Sequence, residues 1–171
     1  MKFIKKFIKR FKVELLVGLI LALMLSQFIS HNLFYIAIVP SESMENTLMV
    51  GDKILINKKI EPLEAGEIYT FYHKDKLLIK RLIATGGDHI KIDNNDVYVN
   101  GKRINEPYVS STMVKDVHVD LVVPEGKYYF LGDNRNNSND ARFWDEPFID
   151  RKEIDGKAVR ILSFHSWKSI L

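Results

Sequence analysis

The sequence predicts a mainly β domain, an antiparallel folded sheet or barrel, preceded by one N-terminal transmembrane helix. Three observations carry this. From Leu33 onward the chain is made of short alternating or β-branched runs separated by turn signals. No run between residues 33 and 171 keeps a sustained helical period. And a continuous apolar stretch, Val13 to Ile29, broken only by Glu14, Gly18, Ser26 and Gln27, follows a lysine-rich start.

The elements follow in order. Residues 1–12 hold Lys2, Lys5, Lys6, Lys9, Arg10 and Lys12 and no acid. Val13 to Ile29 would span roughly 25 Å as a helix, at the short end for crossing a bilayer. A buried core helix would keep one polar face, but Leu15, Leu16, Val17, Leu19, Ile20, Leu21, Leu23, Met24 and Leu25 go all the way round. A cleaved signal would want small residues at −3 and −1 after a shorter apolar stretch, and none stand there. The segment therefore reads as a retained anchor over 13–30. The basic tail 1–12 stays cytoplasmic, and residues 31–171 form one domain on the outer face of the cell membrane.

Strands are expected at Phe34 to Val39, Lys53 to Asn57, Ile68 to Tyr72, Leu77 to Ile83, His89 to Ile92, Val97 to Val99, Tyr128 to Leu131 and Lys157 to Leu162. His73-Lys74-Asp75-Lys76, Asp93-Asn94-Asn95-Asp96 and Asn100-Gly101 read as hairpin turns. Residues 102–125 are the least legible. Asn105 to Tyr108 reads as a loop, Asp116 to Val123 alternates like an edge strand closed by Pro124, and Asp145 to Glu153 has room for a turn of helix.

Composition narrows the function. There is no cysteine, so disulfides, thiolate chemistry and cysteine-ligated zinc are out. The net charge is +3, but the six basic residues of the tail supply more than all of it, leaving 19 basic against 22 acidic residues in 13–171. A nucleic-acid footprint across the domain is not expected. His31, His73, His89, His118 and His165 show no metal-ligand spacing, so no metal and no cofactor are expected.

Two residues stand out chemically. Ser43, in Pro40-Ser41-Glu42-Ser43-Met44-Glu45-Asn46-Thr47-Leu48, is delivered at a turn directly after an apolar strand. Lys80 lies in a strand with Leu78 and Leu82 on its own face and Arg81 on the other. Desolvation there lowers the lysine pKa, which is how a lysine becomes a general base near neutral pH. Each residue alone has a plainer reading: Ser43 as a turn residue, Lys80 as a lysine whose ammonium reaches out to water. They occur, however, beside a third segment with no obvious structural purpose, Gly132-Asp133-Asn134-Arg135-Asn136-Asn137-Ser138-Asn139-Asp140-Ala141-Arg142.

With these segments placed, the chain resembles the bacterial type I signal peptidases, membrane-anchored serine proteases that remove signal peptides from exported proteins. The resemblance runs from the tail to about Ser163. Pro40-Ser41-Glu42-Ser43-Met44 with Thr47-Leu48 resembles the nucleophile box. Lys80-Arg81 followed by Gly87-Asp88 resembles the box of the lysine base, Gly132-Asp133-Asn134-Arg135 with Ser138, Asp140 and Arg142 the third box, and Ile154 to Ala158 the strand after it. The resemblance implies a Ser43 nucleophile, a Lys80 general base and an oxyanion site made by the Ser43 N–H and the Ser41 hydroxyl. It also implies a lysine-orienting role for Ser138, and Asp140 with Arg142 as a supporting ion pair. Ser41 also reads simply as a turn residue. Val39, Met44, Leu48, Leu78 and Ile79 are candidates for shallow pockets admitting alanine, with plain core as the other reading for each. Signal peptides of exported preproteins with small residues at −3 and −1, and the lipid bilayer, are the implied partners.

Three departures are visible. Asn46 stands where the nucleophile box usually has proline, which is expected to loosen the turn. Ala141 stands where the third box usually has serine, and Asp145-Glu146-Pro147 replaces a glycine-containing continuation after Trp144. Other readings remain open: a self-cleaving Ser/Lys peptidase of the regulator type, which would be expected to carry a DNA-binding domain; a catalytically silent membrane-anchored β domain that binds extended peptides; and a Ser/His/Asp triad using His89 beside Asp88.

Overall fold

The computed structural model describes residues 11–59, 62–93, 96–109 and 116–162, with backbone alone at 29–31. The tail up to Arg10, the Asn94-Asn95 turn, Ser163, His165 and the His31 side chain lie outside the described residues. A helix α1 (Lys12–Asn32) leads through Leu33 directly into strand β1 (Phe34–Ile38). Ten more strands follow: β2 (Lys53–Asn57), β3 (Ile68–His73), β4 (Lys76–Thr85), β5 (His89–Asp93), β6 (Asp96–Val99), β7 (Lys102–Arg103), β8 (His118–Val122), β9 (Lys127–Leu131), β10 (Phe148–Asp150) and β11 (Ile154–Ile161).

Every expected strand is present, within a few residues at the ends. The sequence reading missed the two shortest, β7 and β10. The helical turn expected within 145–153 is a single 3₁₀ turn at Arg151–Glu153, closed by a capping box in which the Asp150 N–H donates to Glu153 Oε2 at 2.9 Å.

All described pairings are antiparallel. Seven strands form one sheet in the order β1-β2-β11-β3-β4-β9-β10, and four form a second in the order β7-β6-β5-β8. The turns follow from their residues. Lys74 (φ 47°) and Asp75 (φ 63°) join β3 to β4, and Asn100 (φ 53°) with Gly101 (φ 75°) joins β6 to β7. Two successive left-handed residues match the right-handed twist of hairpin strands.

The large sheet curls, which brings distant strands to one site. Its ladder shifts register at three places, Leu82/Ala84, Ala158/Arg160 and Ile154/Gly156, and such bulges sharpen twist and bend a strand. Gly156 sits at one of them, where a Cβ would fall 2.3 Å from Ile56 Cγ2. Only glycine lets β11 approach β2 so closely. Inside the curl, Val39, Met44 and Leu48, which follow β1, pack with Ile54, Ile56, Ile68, Ile79 and Ala158 in one cluster. A second cluster stacks Phe71 on Phe130, centroids 4.4 Å apart, beside Tyr69 and Leu82. A third joins the two sheets and includes Ile90, Ile92, Tyr129 and Ala141. Ala141 is thus a core residue, and a serine hydroxyl there would need a buried partner.

Side chains of α1 are described from residue 12 to 28 and at Asn32. Among the described residues no helix is long and apolar enough to cross a membrane. Along that length the run Leu15, Leu16, Val17, Leu19, Ile20 and Leu21 is exposed on every face.

Candidate active site

The serine turn is built from both ends. The Val39 N–H donates to Asp52 O at 2.9 Å, and the Gly51 N–H donates back to Val39 O at 2.9 Å, which fixes the exit from β1. Ser41 stays extended (φ −147°, ψ 164°), and Glu42–Met44 make one 3₁₀ turn. Met44 and Leu48, both fully buried, root the turn in the core, so Ser43 is held by packing on either side. Asn46 has φ 81°. Proline is locked near −65° and cannot adopt that angle, whereas asparagine is among the residues best suited to it. The expected loosening at Asn46 is therefore corrected: this turn is built around the left-handed residue.

Lys80, in the middle of β4 and opposite Tyr69 of β3, points into the curl. Its Nζ lies 2.5 Å from Ser43 Oγ, and the two residues are 4% and 6% exposed. Burial pushes the Lys80 amine down from its usual 10.5 to about 8; Asp140 and Asp133 oppose the fall, and Arg142 adds slightly to it. Ser41 Oγ lies 3.3 Å from Ser43 Oγ. Ser138 is buried, with its hydroxyl unpaired among the described residues. It lies over Gly132, where a Cβ would fall 2.2 Å from Ser138 Oγ and 2.5 Å from Ser43 O. Glycine at 132 is what allows these two serines to share one small volume.

The loop 132–142 grips the serine turn. The Asn134 N–H donates to Ser43 O at 3.1 Å, Asn134 Nδ2 to Glu42 O at 3.1 Å, and Asn137 Nδ2 to Glu42 Oε2 at 2.6 Å. Three buried carboxylate–guanidinium pairs hold the loop in turn. Asp140 accepts from Arg142 Nε at 2.7 Å and from the Gly132 N–H at 2.9 Å, and both side chains of the pair are almost wholly buried, as the expected supporting pair requires. Arg81, on the face of β4 opposite Lys80, forks onto Asp133 at 2.9 and 2.6 Å, while Thr47 donates to the same carboxylate at 2.5 Å. Arg135 donates to Gly132 O at 3.1 Å and pairs with Glu106. Tyr108 donates to Glu106 at 2.9 Å and lays its ring 3.8 Å from the Arg81 guanidinium.

Arg81, Asp133, Glu106, Tyr108 and Thr47 were assigned no role from sequence. Charged residues in adjoining boxes gave a hint for Arg81 and Asp133. Glu106 and Tyr108 gave none, because their partners lie 29 and 27 positions away along the chain.

Two depressions open beside the Ser43–Lys80 pair. One, of about 210 Å³, is largely apolar and is lined by Val39, Ile54, Leu77, Leu78 and Ile79. The other, of about 960 Å³, is the more polar of the two and is bounded by His73, Lys74, Lys76, Asn137, Asn139 and Trp144. Of the five pocket candidates, Val39, Leu78 and Ile79 line the apolar depression. Met44 and Leu48 do not: they are core residues beneath the turn. His89 lies in the second sheet and pairs with Asp120 at 2.6 Å. Asp88 is occupied by the Thr85 N–H and by Asn100, so the His89–Asp88 pairing of a triad is absent.

A hydroxyl on an amine of lowered pKa, both withdrawn from water at the edge of an extended cleft, is a geometry suited to acyl transfer by a serine hydrolase. Comparison with known proteins gives this a family. The model described as "Signal peptidase, peptidase S26" matches residues 10–163. A Synechocystis protein named "Probable signal peptidase I-2" is 37% identical over 131 residues, 70% of this chain and 59% of that one. Signal peptidase I of Bacillus amyloliquefaciens is 34% identical over 67% of this chain and 68% of its own, and signal peptidase IB of Staphylococcus aureus is 34% identical over 75% of each. A solved signal peptidase I from Enterococcus faecalis V583 superposes with a TM-score of 0.51 at 24% identity, over 59% of this chain and all of that one, and shares the fold. The chain belongs to the signal peptidase family.

Proposed function

We propose that this protein is a membrane-bound endopeptidase that cuts signal peptides from exported preproteins after small-x-small sequences, with Ser43 as nucleophile and Lys80 as general base. The observation that carries this is the 2.5 Å contact of a buried amine of lowered pKa with a buried hydroxyl. Neutral Lys80 takes the Ser43 proton as Oγ bonds to the scissile carbonyl carbon. The Ser43 N–H and the Ser41 hydroxyl hold the oxyanion. The Lys80 ammonium then gives its proton to the departing nitrogen as the C–N bond breaks. Water, deprotonated by Lys80 in its turn, adds to the acyl carbon; the C–Oγ bond breaks, Lys80 returns the proton to Ser43 Oγ, and the product leaves as an acid that ionises in solvent.

Ser138, which lines the same depression as Lys80 and whose hydroxyl has no hydrogen-bond partner among the described residues, would orient the lysine in this reading by turning that hydroxyl to it, and the Asp140–Arg142 pair keeps the loop in place. An extended peptide laid along the cleft would seat its small side chains against Val39, Leu78 and Ile79. The helix from Val13, whose described part is short of a full span but has apolar side chains exposed all round, would be the membrane anchor in this reading, with residues 1–12 cytoplasmic and 31–171 on the outer face. Cleavage of a model preprotein tests the proposal. Wild type should cut at a single site, and Ser43→Ala and Lys80→Ala should each lose turnover while staying folded. More than a few per cent of wild-type activity in either variant removes the dyad.

A further inference from the structure

The two depressions that meet at Ser43 differ in size and charge, and the larger is not explained by small-side-chain selection. Its outer wall is the β3–β4 hairpin, which carries His73, Lys74 and Lys76. The hairpin is held in place by the His73 ring stacked on Trp144, centroids 4.0 Å apart and planes within 14°. Opposite stand the carboxamides of Asn137 and Asn139. Of the residues lining the depression one is a carboxylate, Asp145, which is 97% exposed and 3.9 Å from Lys74, and Asp75 stands between the two lysines at the hairpin tip, so the wall keeps a single net positive charge at the hairpin. Asn137 is already turned to the Glu42 carboxylate, so two ammonium groups, the Asn139 carboxamide and about 960 Å³ of open space make the site for an anionic, extended segment.

We propose that this polar depression binds the first residues after the scissile bond, the segment that leaves as the free amine, and that Lys74 and Lys76 select acidic side chains there. The inference rests on the peptidase reading and deepens it. The apolar depression of about 210 Å³ matches the small side chains before the cut, which leaves the polar one for the residues beyond it.

The test uses the full chain in detergent and matched peptides with Asp, Asn or Lys at the second position after the cut. A control set carries the same changes at the second position before it. Products are located by mass spectrometry. At low salt wild type should favour Asp over Lys after the cut by roughly fivefold in kcat/KM, the size expected of exposed charge pairs, and high salt should flatten the preference. Lys74→Glu with Lys76→Glu should invert the order, whatever the change in absolute rate, and Asp145→Asn should widen the preference for Asp. An Asp-to-Lys ratio unmoved by the double reversal overturns the proposal, as does a ratio that responds only to residues before the cut. If wild type cuts none of the peptides, the peptidase reading itself fails and this assignment falls with it.

Discussion

If Lys80 is the general base, the burial that fits it to that role also costs stability. The amine that titrates near 8 inside the curl would titrate at 10.5 in the unfolded chain. The unfolded state therefore binds more protons between those values, and stability rises with pH across that window. Below pH 8 both states are protonated and the full cost of the buried ammonium is present, about 3 kcal/mol. Lys80→Met should therefore be more stable than wild type in denaturant melts at pH 7, with the gap closing as pH approaches 10.5. The proposed activity has the same requirement, a neutral amine, so kcat/KM should rise through pH 8 and level off above it. A rise centred near the ordinary imidazole value of about 6.5 would instead point to histidine.

Ser41 separates chemistry from structure at the same scale. As an oxyanion donor its alanine variant should lose about 10²-fold in kcat with KM little changed. As a turn residue alone it would lower Tm and leave kcat near normal. Ser43 and Lys80 were legible in the sequence because each lies in a periodic context, a strand end and a strand face. The placing of Met44 and Leu48 was not, because a turn has no period that tells a pocket wall from the core under it.

Elements that carry neither Ser43 nor Lys80 still set the geometry of that pair. The Glu106-Pro107-Tyr108 loop, beyond β7 of the second sheet, caps two buried arginines, Arg135 through Glu106 and Arg81 through the Tyr108 ring. Both arginines hold the segment 132–134, whose Asn134 N–H fixes the Ser43 carbonyl. Glu106→Ala leaves a buried guanidinium unpaired and should cost about 3–5 kcal/mol in denaturant unfolding. Glu106→Gln keeps the shape and should recover much of that stability. If the loop positions the dyad, the Gln variant will still show reduced kcat with an unchanged KM, a split that lost stability alone would not produce.

The fold's legibility was likewise uneven for physical reasons. β3, β4 and β9 declared themselves through apolar runs bounded by turn residues. β7 and β10, two and three residues long, are too short for any period to register and are defined by their partners, Tyr98 and Val99 for one and Lys127 to Tyr129 for the other. The left-handed angle at Asn46 was hidden because the family comparison supplied proline as the expectation, and the observed backbone excludes it.

For the molecule as a whole, the domain's clusters are made by strands and the loops between them, and among the described residues no α1 side chain joins them. Removing residues 1–30 should leave a folded, cooperative domain by circular dichroism that cuts slowly, because enzyme and substrate would no longer share a surface and a high effective concentration. A truncated domain that does not fold would make α1 part of the core and end the anchor reading.

The single residue between α1 and β1 also acts as a ruler. Leu33 is all that separates helix from strand, and Ser43 stands eleven residues beyond Asn32. Even fully extended, that stretch reaches roughly 35–40 Å. If α1 is the anchor and Ser43 the nucleophile, the cutting point would hang at a bounded height above the lipid. A preprotein still embedded by its own apolar span would be cut only where its chain emerges within that height. The short tether would then select substrates by the distance from membrane to bond, before any side chain has entered a pocket.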